Sequence, residues 1–341
     1  MSRPIRVLFP KRRPTTNPYV VMLGEALQAQ PGVELVDLSW QRALTGAYDV
    51  IHLHWPEILV SGPTTAKRRG KEVAFGMLLT RLRLTRRALV RTYHNVELPR
   101  GLTATQTRLL QRAEQQTALW IVLNEAGRPP TTAPVALIPH GHYRGWYAPY
   151  EQSEMVPGRI GYFGLIRRYK AVDVLVGAFL EAGRADPGLS LSIAGKPSTP
   201  ELAEELRQQA GGDPRIDFRF EFLTEAELVR HVTASQVVAL THREMFNSGT
   251  ALAALSLDRP VLLPRNDVNE RLAAEVGADW VLLYDEPLTG RDVGQAMALL
   301  RGRAADAPGP DLSARDWAEC GRAHLRAYRE ALEQVEARPR T

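Results

Sequence analysis

The sequence predicts an α/β protein made of two halves, each built on a parallel sheet. Short apolar runs of strand length alternate with segments of helical periodicity along all 341 residues. Runs that are apolar on both faces are typical of parallel strands covered by helices on both sides. A polar segment at residues 151–157 interrupts the alternation near the middle of the chain, and the length suffices for two domains of ordinary size.

Six predicted strands lie on each side of this polar segment. Those of the first half span residues 5–9, 33–38, 50–54, 88–93, 119–123 and 135–138. Those of the second half span residues 159–163, 189–194, 216–220, 237–240, 261–263 and 280–284. Residues 314–338 form one long helical pattern, which we expect to pack back on the first half. The predicted domains are therefore residues 1–148, joined by this helix, and residues 149–313.

Cysteine content and hydropathy bear on the location of the protein. Cys320 is the single cysteine, which rules out an internal disulfide and fits a reducing compartment. No signal-peptide pattern precedes the first strand, and no apolar run approaches the roughly 20 residues of a spanning helix. We therefore expect a cytoplasmic location.

Positive charge is concentrated in the first hundred residues. Residues 1–100 carry 16 Lys and Arg against 7 Asp and Glu, a net charge of +9, which leaves −4 for the rest of a chain whose net charge is +5. Within residues 67–87, apolar residues recur at helical spacing among basic ones, at Phe75, Leu78, Leu79 and Leu82. This pattern suits an anionic membrane surface. The basic residues predicted to meet that surface are Arg81, Arg83, Arg86 and Arg87.

The basic helix allows two other interpretations. It could be a core helix whose apolar stripe packs on the sheet while its arginines are solvated. Nucleic acid is the third partner that a basic patch can have, but the chain contains no motif typical of a nucleic-acid-binding domain. We therefore do not expect nucleic acid as a partner.

Residues 237–264 read as strand, polar loop, helix and strand, with most of the polar groups in the loop. The residues that supply capping chemistry for this helix are Asn247, Ser248, Gly249 and Thr250. A helix start with unbonded backbone N–H groups favours an anion, and open α/β sheets bind ligands at the carboxyl ends of their strands. The alternative is that these residues cap a purely structural helix.

A cationic turn follows the first strand of the second half. Gly164 ends that strand, and Arg167, Arg168 and Lys170 precede the next helix. Cations at a helix N-terminus do not serve the helix dipole, so they indicate an anionic ligand such as a diphosphate. The alternative is a solvated basic turn.

Six strings of the sequence resemble the GT-B glycosyltransferases, especially the family-4-like group. They are DVIHLHWPE, TYHNVELPR, IPHGHYRGWY, GYFGLIRRYK, FNSGTALAALSLDRPVLLP and YDEPLT. The resemblance covers nearly the whole chain and is closest to bacterial exopolysaccharide β-mannosyltransferases of the xanthan type. It implies two Rossmann-like domains that face across a cleft, the first binding the acceptor and the second binding the nucleotide-sugar donor, with the C-terminal helix crossing back to the first.

One departure from the family concerns stereochemistry. Retaining family-4 enzymes carry two glutamates on the loop and helix that correspond to residues 244–253, whereas this chain has Glu244 and then Ala253. Glu244 remains a candidate for binding the donor sugar. The broken pair favours an inverting enzyme, which needs a general base to deprotonate the acceptor hydroxyl.

Candidates for this base lie in the first half, which the resemblance makes the acceptor side. His54 and Glu57 follow one predicted strand, and His94 and Glu97 follow another. A histidine titrates near the working pH, and burial can raise the pKa of a carboxyl group, so the sequence leaves the choice open. We rank His94 and Glu57 ahead of His54 and Glu97.

Two further residues are expected to meet the donor. His140 follows the last strand of the first half, and Glu286 follows the last strand of the second half, where it could accept from a ribose hydroxyl. The pairs His52/His54 and His140/His142 lack the cysteine or carboxylate that would complete a recognisable zinc site, and no Asp-x-Asp pattern occurs. We expect transfer without a metal, with cations and a helix N-terminus neutralising the leaving group.

The sequence thus predicts a GT-B glycosyltransferase that needs no cofactor besides its nucleotide-sugar co-substrate. The predicted reaction is inverting transfer of mannose from GDP-mannose to a glycan carried on a membrane lipid diphosphate, at the inner face of the cytoplasmic membrane. Two alternatives remain open. One is a nucleotide-sugar 2-epimerase of the same fold, and the other is a non-catalytic nucleotide-sugar-binding protein.

Overall fold

The computed structural model describes residues 3–13, 17–94, 99, 101–242, 249–303 and 308–338. The chain divides into two compact units, the first formed by residues 1–141 with 315–341 and the second by residues 142–314. Each unit contains one six-stranded sheet in which every pair of neighbouring strands is parallel. The two sheets confirm the predicted α/β class.

The first unit has the strand order β2-β1-β3-β4-β5-β6. Its strands are β1 (Ile5–Phe9), β2 (Val33–Asp37), β3 (Val50–Leu53), β4 (Ala88–Tyr93), β5 (Leu119–Val122) and β6 (Val135–Leu137). Its helices are α1 (Pro18–Gln28), α2 (Trp40–Thr45), α3 (Glu57–Val60), α4 (Thr65–Thr85), α5 (Ala104–Gln116) and the C-terminal α13 (Trp317–Ala337). The strand order reverses between β1 and β3, so the carboxyl ends of these two strands flank the crevice where such sheets bind ligands.

Successive side chains of β3 and the residue after it point to opposite faces of the sheet, apolar ones to one face and histidines to the other. Ile51 and Leu53 point into the core formed with α4 and α5. His52 and His54 point to the opposite face, where His52 contacts Tyr328 of α13 and His54 contacts Tyr19 of α1. The polar residues of the strand therefore lie on the face that α13 covers.

The second unit has the strand order β12-β11-β10-β7-β8-β9. Its strands are β7 (Arg159–Phe163), β8 (Ser190–Ala194), β9 (Ile216–Arg219), β10 (Val237–Ala239), β11 (Val261–Pro264) and β12 (Val281–Tyr284). Its helices are α6 (Arg144–Tyr147), α7 (Val172–Ala185), α8 (Pro200–Ala210), α9 (Glu225–Thr233), α10 (Gly249–Ser256), α11 (Asp267–Val276) and α12 (Gly290–Arg301). Here the order reverses between β7 and β10, as in dinucleotide-binding sheets.

The second unit begins at His142 rather than at the predicted residue 149. The reason is a set of contacts made by the segment around α6. The backbone N–H of Tyr143 donates to Ser256 Oγ over 2.8 Å, and Arg144 donates to the Asp258 carboxylate over 3.1 Å and to the Pro310 carbonyl over 3.0 Å. These bonds attach the segment to α10 and to the residues that follow it.

Threonine caps set the starts of several helices. Thr103, Thr224 and Thr289 each form a reciprocal capping box with the residue three positions later, at the starts of α5, α9 and α12. Such a cap satisfies backbone N–H groups that a helix leaves unbonded and contributes about 1 kcal/mol of stability. The helix boundaries near the carboxyl edge of each sheet are thus encoded locally.

Helix α4 corrects the membrane interpretation of the basic segment. The apolar stripe predicted to meet a membrane, Phe75, Leu78, Leu79 and Leu82, is buried in the core of the first unit. The sequence pattern was right about a helix and wrong about which surface its stripe faces. A helical stripe of leucines is equally suited to a protein core, and here the sheet covers it.

Three of the four predicted membrane arginines bind the protein itself. Arg81 donates to the carbonyls of Ala43 and Gly46, both over 2.6 Å, and Arg87 donates to the Gly46 carbonyl over 2.8 Å. Arg86 donates to the backbone at the end of α13, at the carbonyls of Val335, Glu336 and Arg338. Arg83 alone among the four is exposed.

Among the residues that the structure describes, no helix is both long enough and apolar enough to span a membrane.

Candidate active site

The carboxyl ends of β7 and β10 bring together the residues predicted to hold an anion. Gly164 follows β7 with φ +114°, a conformation that only glycine adopts without strain. A Cβ at this position would lie 3.6 Å from Lys170 Nζ and 3.9 Å from Thr250 Oγ1. The glycine turn, the lysine and the first turn of α10, which begins at Gly249, therefore converge on one point.

Lys170 is the cation of the turn that faces this point. It is half-buried, and burial together with the neighbouring Arg167 lowers its pKa. Thr241 Oγ1, just after β10, lies 2.7 Å from the Lys170 carbonyl and 2.8 Å from the Ala171 carbonyl. The end of one strand thereby fixes the backbone that presents the lysine.

The other two cations of the turn lie elsewhere. Arg168 forms a two-pronged ion pair with Glu205, at 2.7 and 2.8 Å, on the exposed surface. Arg167 is exposed as well. Of the two predicted donor residues Arg167 and Lys170, the structure therefore places only Lys170 beside Gly164 and Thr250.

Gly195, which is not among the predicted site residues, supports the turn. A Cβ on Gly195 would lie 1.9 Å from the carbonyl oxygen of Gly164, and its φ of +149° also requires glycine. The turn at Gly164 can keep its shape only because β8 is followed by a residue without a side chain. An Ala194-Gly195 pair after an apolar strand was the signal available in the sequence.

His242 is a second residue that the predicted donor set omitted. It directly follows Thr241, and its Nδ1 atom is buried and has no hydrogen-bond partner among the described residues. Burial and the nearby Lys170 lower its pKa to about 4, so the imidazole is neutral at neutral pH. Buried polar atoms in proteins nearly always have a hydrogen-bond partner, so His242 Nδ1 is a candidate for contact with a ligand.

A cavity of about 410 Å³ opens at the same edge of the second sheet. Its lining includes Tyr169, Thr241, Tyr284, Glu286 and Leu288. The volume falls in the range of small-molecule pockets, and apolar and aromatic walls with a few polar groups are their usual composition. Glu286, predicted to meet the donor, therefore lines a cavity beside the cationic turn.

Four predicted site residues lie outside the described part of the chain. They are the base candidate Glu97 and the donor candidates Glu244, Asn247 and Ser248.

In the first unit, two of the predicted base candidates lie within hydrogen-bonding distance of each other. His54 follows β3 and His94 follows β4, and His54 Nδ1 lies 3.0 Å from His94 Nε2. Trp55 stacks on the His94 ring with a centroid distance of 4.4 Å and an interplanar angle of 20°. The pairing follows from the sheet, because β3 and β4 are parallel neighbours whose carboxyl ends meet.

Glu57, the third candidate in the described chain, is the first residue of α3. Burial raises its pKa, and the buried guanidinium of Arg91 on β4 opposes part of that rise. The pKa values of the histidines are shifted in the opposite direction. Burial lowers the pKa of His94 to about 3 and that of His54 well below its usual range. Burial therefore shifts the pKa values of the two leading candidates, Glu57 and His94, in opposite directions.

His140, predicted to meet the donor, belongs to the first unit, whereas the other predicted donor residues that the structure describes belong to the second. Its ring packs on Tyr19 at a centroid distance of 4.4 Å and lies near Trp317 at the start of α13. Burial lowers its pKa to about 4. His140 is therefore part of a cluster of aromatic and imidazole rings at the carboxyl edge of the first sheet.

Several histidines lie close together at this edge of the first sheet. Among the described residues, no group of three or more His, Cys, Asp or Glu side chains is arranged to hold a metal ion. His52 instead binds two hydroxyl groups, and His324 Nδ1 lies 2.7 Å from the Cys320 carbonyl. Transfer without a metal stays a prediction.

The relatives of the chain are glycosyltransferases. A GDP-mannose:glycolipid 4-β-D-mannosyltransferase from Xanthomonas campestris pv. campestris is 41% identical over 336 residues, covering 96% of this chain and 93% of the relative. The chain belongs to this family of mannosyltransferases. It is a hexosyltransferase, as the sequence predicted, and a second sequence of the same name from that organism is equally similar. No protein-family model matches the chain.

Solved structures confirm the GT-B fold. HepE from Anabaena, in complex with UDP, has a TM-score of 0.58 and 15% identity and covers 98% of both chains. AviGT4, a glycosyltransferase of avilamycin A biosynthesis, has a TM-score of 0.57 and 14% identity and covers 97% of this chain and 98% of its own. Sucrose-phosphate synthase from Thermosynechococcus elongatus has a TM-score of 0.56 and 16% identity, with 98% of both chains covered. This mannosyltransferase therefore shares its fold with distant glycosyltransferases.

Proposed function

We propose that the protein transfers mannose from GDP-mannose to a glycolipid acceptor, with inversion at the anomeric carbon and without a metal ion. The observation that carries the proposal is the convergence of Gly164, Lys170 and the first turn of α10 in a member of this family. The positive end of a helix dipole and a half-buried ammonium group are suited to the diphosphate of a nucleotide sugar.

Gly164, Lys170 and the first turn of α10 account for departure of the nucleotide diphosphate from the donor sugar. As the glycosidic bond to the diphosphate breaks, negative charge develops on the leaving oxygen. In this proposal Lys170 and the N-terminal turn of α10, which both lie beside Gly164, stabilise that charge electrostatically. The neutral His242 beside Lys170 supplies a further hydrogen-bonding group. In other sugar transfers a divalent ion neutralises the leaving diphosphate. Here we propose that these protein residues do so instead.

Lys170→Ala should lower kcat for mannosyl transfer by about 10²–10³, because it removes a preorganised charge at the leaving group. The measurement is steady-state transfer from radiolabelled GDP-mannose. Arg168→Ala is the matched control, since Arg168 is a cation of the same turn that pairs with Glu205 on the surface. Equal losses in the two variants would refute a specific role for Lys170.

The acceptor half requires a base, and we propose Glu57. A general base is most effective when its pKa is close to the working pH. Burial moves the pKa of Glu57 upward toward that range, and it moves the pKa of His94 down to about 3. The hydrogen-bonded pair His54 and His94, stacked on Trp55, then acts as a neutral platform that orients the acceptor sugar.

The membrane surface of the enzyme is proposed on a different face of α4 from the predicted one. Val73, Met77 and Leu84 are 64%, 55% and 77% exposed and lie on one side of the helix. Arg69 extends this side and Arg83 flanks it, and both are exposed. We name these five residues the outer face of α4. An exposed apolar stripe with basic flanks is suited to an anionic bilayer surface.

Replacing Val73, Met77 and Leu84 together by Ser should weaken binding to vesicles of anionic phospholipid by about tenfold or more, because the apolar contact is lost. Sedimentation with vesicles measures this. Leu299→Ser is the matched control, since Leu299 is 67% exposed on α12 of the second unit. Unchanged binding of the triple variant would show that the outer face of α4 does not meet the membrane.

The function itself is tested by incubating the purified protein with GDP-mannose, with and without a lipid-linked glycan. We expect mannosyl product only when the acceptor is present. Conversion of the donor in the absence of acceptor would instead indicate an epimerase, and donor binding without any turnover would indicate a binding protein. Either result would refute the proposal.

A further inference from the structure

A tyrosine of the C-terminal helix reaches the interior of the first unit. Tyr328 Oη, on α13, lies 2.8 Å from His52 Nδ1 on β3. The other ring nitrogen of His52, Nε2, lies 2.8 Å from Thr92 Oγ1 on β4. Tyr328 and His52 are fully buried and Thr92 is almost so. Each ring nitrogen of His52 therefore has a hydroxyl partner, one on α13 and one on the sheet.

Both bonds are made by a neutral imidazole. Burial lowers the pKa of His52 well below its usual range and raises that of Tyr328 well above its own, so neither group carries charge at neutral pH. A neutral imidazole has one N–H and one lone pair, and a hydroxyl can donate or accept. Each tautomer of His52 therefore satisfies both partners, but loss of either hydroxyl leaves a buried ring nitrogen without a bond.

His52 in turn packs against the acceptor-side pair. Its ring lies on the His54 ring at a centroid distance of 4.4 Å and an angle of 35°. His54 Nδ1 is bonded to His94, whereas no described residue offers a hydrogen bond to the buried His54 Nε2. The orientation of His54 therefore depends on the His94 bond and on the rings packed around it, of which His52 is the nearest.

We propose that Tyr328 is a positioning residue of the transferase. Through His52 it fixes the plane of His54, and through His54 it fixes His94, so that the C-terminal helix sets the geometry of the acceptor platform. The proposal rests on the proposed function, in which that platform orients the acceptor. It assigns a functional role to a residue that is 276 positions from its partner in the sequence.

Tyr328→Phe is the direct test, because it removes one hydroxyl and keeps the ring. We expect kcat for transfer to fall roughly 10–100-fold, the usual effect of losing an outer partner of a site, with the KM for GDP-mannose unchanged. Tyr48→Phe is the matched control. Its hydroxyl is also buried in the first unit, where it donates to the Ala43 carbonyl over 2.9 Å, in the core on the opposite face of the sheet.

A second readout is independent of turnover. Ring ¹⁵N NMR spectra of the histidines should show changed tautomer shifts for His54 and His94 in Tyr328→Phe and unchanged shifts in Tyr48→Phe. Thr92→Val removes the other bond of His52 and should reproduce both effects, which provides the test if Tyr328→Phe fails to fold.

The outcomes separate the two proposals. If Tyr328→Phe loses no more activity than Tyr48→Phe, or if the His54 and His94 signals do not move, the positioning role is wrong. If the wild type transfers no mannose while the signals move as expected, the coupling of Tyr328 to the histidines holds and the proposed function fails.

Discussion

Lowering the pH from 7 to 5.5 should reduce the free energy of unfolding by about 6 kcal/mol, through five buried histidines of the first unit. They are His52, His54, His94, His140 and His324, and burial lowers the pKa of each in the folded state. Their ordinary pKa is 6.5, so at pH 5.5 they are protonated in the unfolded chain and neutral in the folded one. Each therefore costs somewhat more than about 1 kcal/mol over this interval.

The direction of this effect follows from the sign of the shifts. A histidine whose folded pKa is lowered contributes its full stability above pH 6.5 and loses it as the pH falls toward the folded pKa, which is about 3 for His94 and about 4 for His140 and His324. The pKa values of His231 and His242 in the second unit are also lowered, so these residues add to the loss of stability. Glu57 has the opposite effect, because its pKa is raised in the folded state. The total is comparable to the stability of a whole domain.

Urea unfolding at several pH values measures this change. The slope of the unfolding free energy against pH near 5.5 should correspond to the uptake of about four to five protons by the first unit on unfolding. Calorimetry in buffers of different ionisation enthalpy gives an independent proton count. A loss of less than about 2 kcal/mol between pH 7 and 5.5 would show that these histidines are protonated in the folded protein.

Glu57→Gln should lower kcat by about 10²–10⁴, which is the usual contribution of a general base. The amide keeps the size and the position at the start of α3 but cannot accept a proton. The KM for GDP-mannose should not change, because the proposed donor residues lie in the second unit. Transfer rates at saturating donor measure the effect.

The pH dependence of the wild type identifies the same group. A carboxyl base acts in its ionised form, so kcat/KM for the acceptor should fall as the pH drops through the pKa of Glu57, which burial places above its ordinary 4.5. This acidic limb should be absent in Glu57→Gln and retained in His94→Gln. If the limb persists in Glu57→Gln and disappears in His94→Gln, the base is the histidine.

The strand pattern predicted where in each sheet the residues of the candidate site lie. The carboxyl ends of parallel strands meet at one edge of their sheet. The spacing of the apolar runs therefore predicts that Gly164 and Lys170 follow β7 at the edge of the second sheet. It likewise predicts that His54 and His94 follow β3 and β4 at the edge of the first sheet. The helix start at α10 was also visible in the sequence, and its first turn contains the predicted Gly249 and Thr250.

Contacts between distant segments could not be derived in this way. Tyr328 and His52 are 276 residues apart, and no local pattern marks either as the partner of the other. Gly195 looks like an ordinary strand end until the Gly164 carbonyl is placed beside it. Arg81 and Arg86 look solvated in the sequence because the carbonyls that they bind belong to distant segments, at α2 and at the end of α13.

The two faces of α4 show the same limit for surface prediction. The helix has a buried apolar stripe and an exposed one, and both recur at helical spacing. Periodicity identifies the helix but cannot say which stripe the sheet covers. The larger leucine-rich stripe fills the core, and the weaker stripe of Val73, Met77 and Leu84 is left on the surface.

The proposed inverting transfer, with Glu57 as the base and Lys170 at the leaving group, is tested by the configuration of the product. The enzyme would be incubated with GDP-α-mannose and a lipid-linked glycan, and the new linkage would be assigned by the one-bond C–H coupling of the mannosyl anomeric carbon. We predict a β-linked mannose, formed by wild type and lost in Glu57→Gln. An α-linked product would contradict the inverting mechanism.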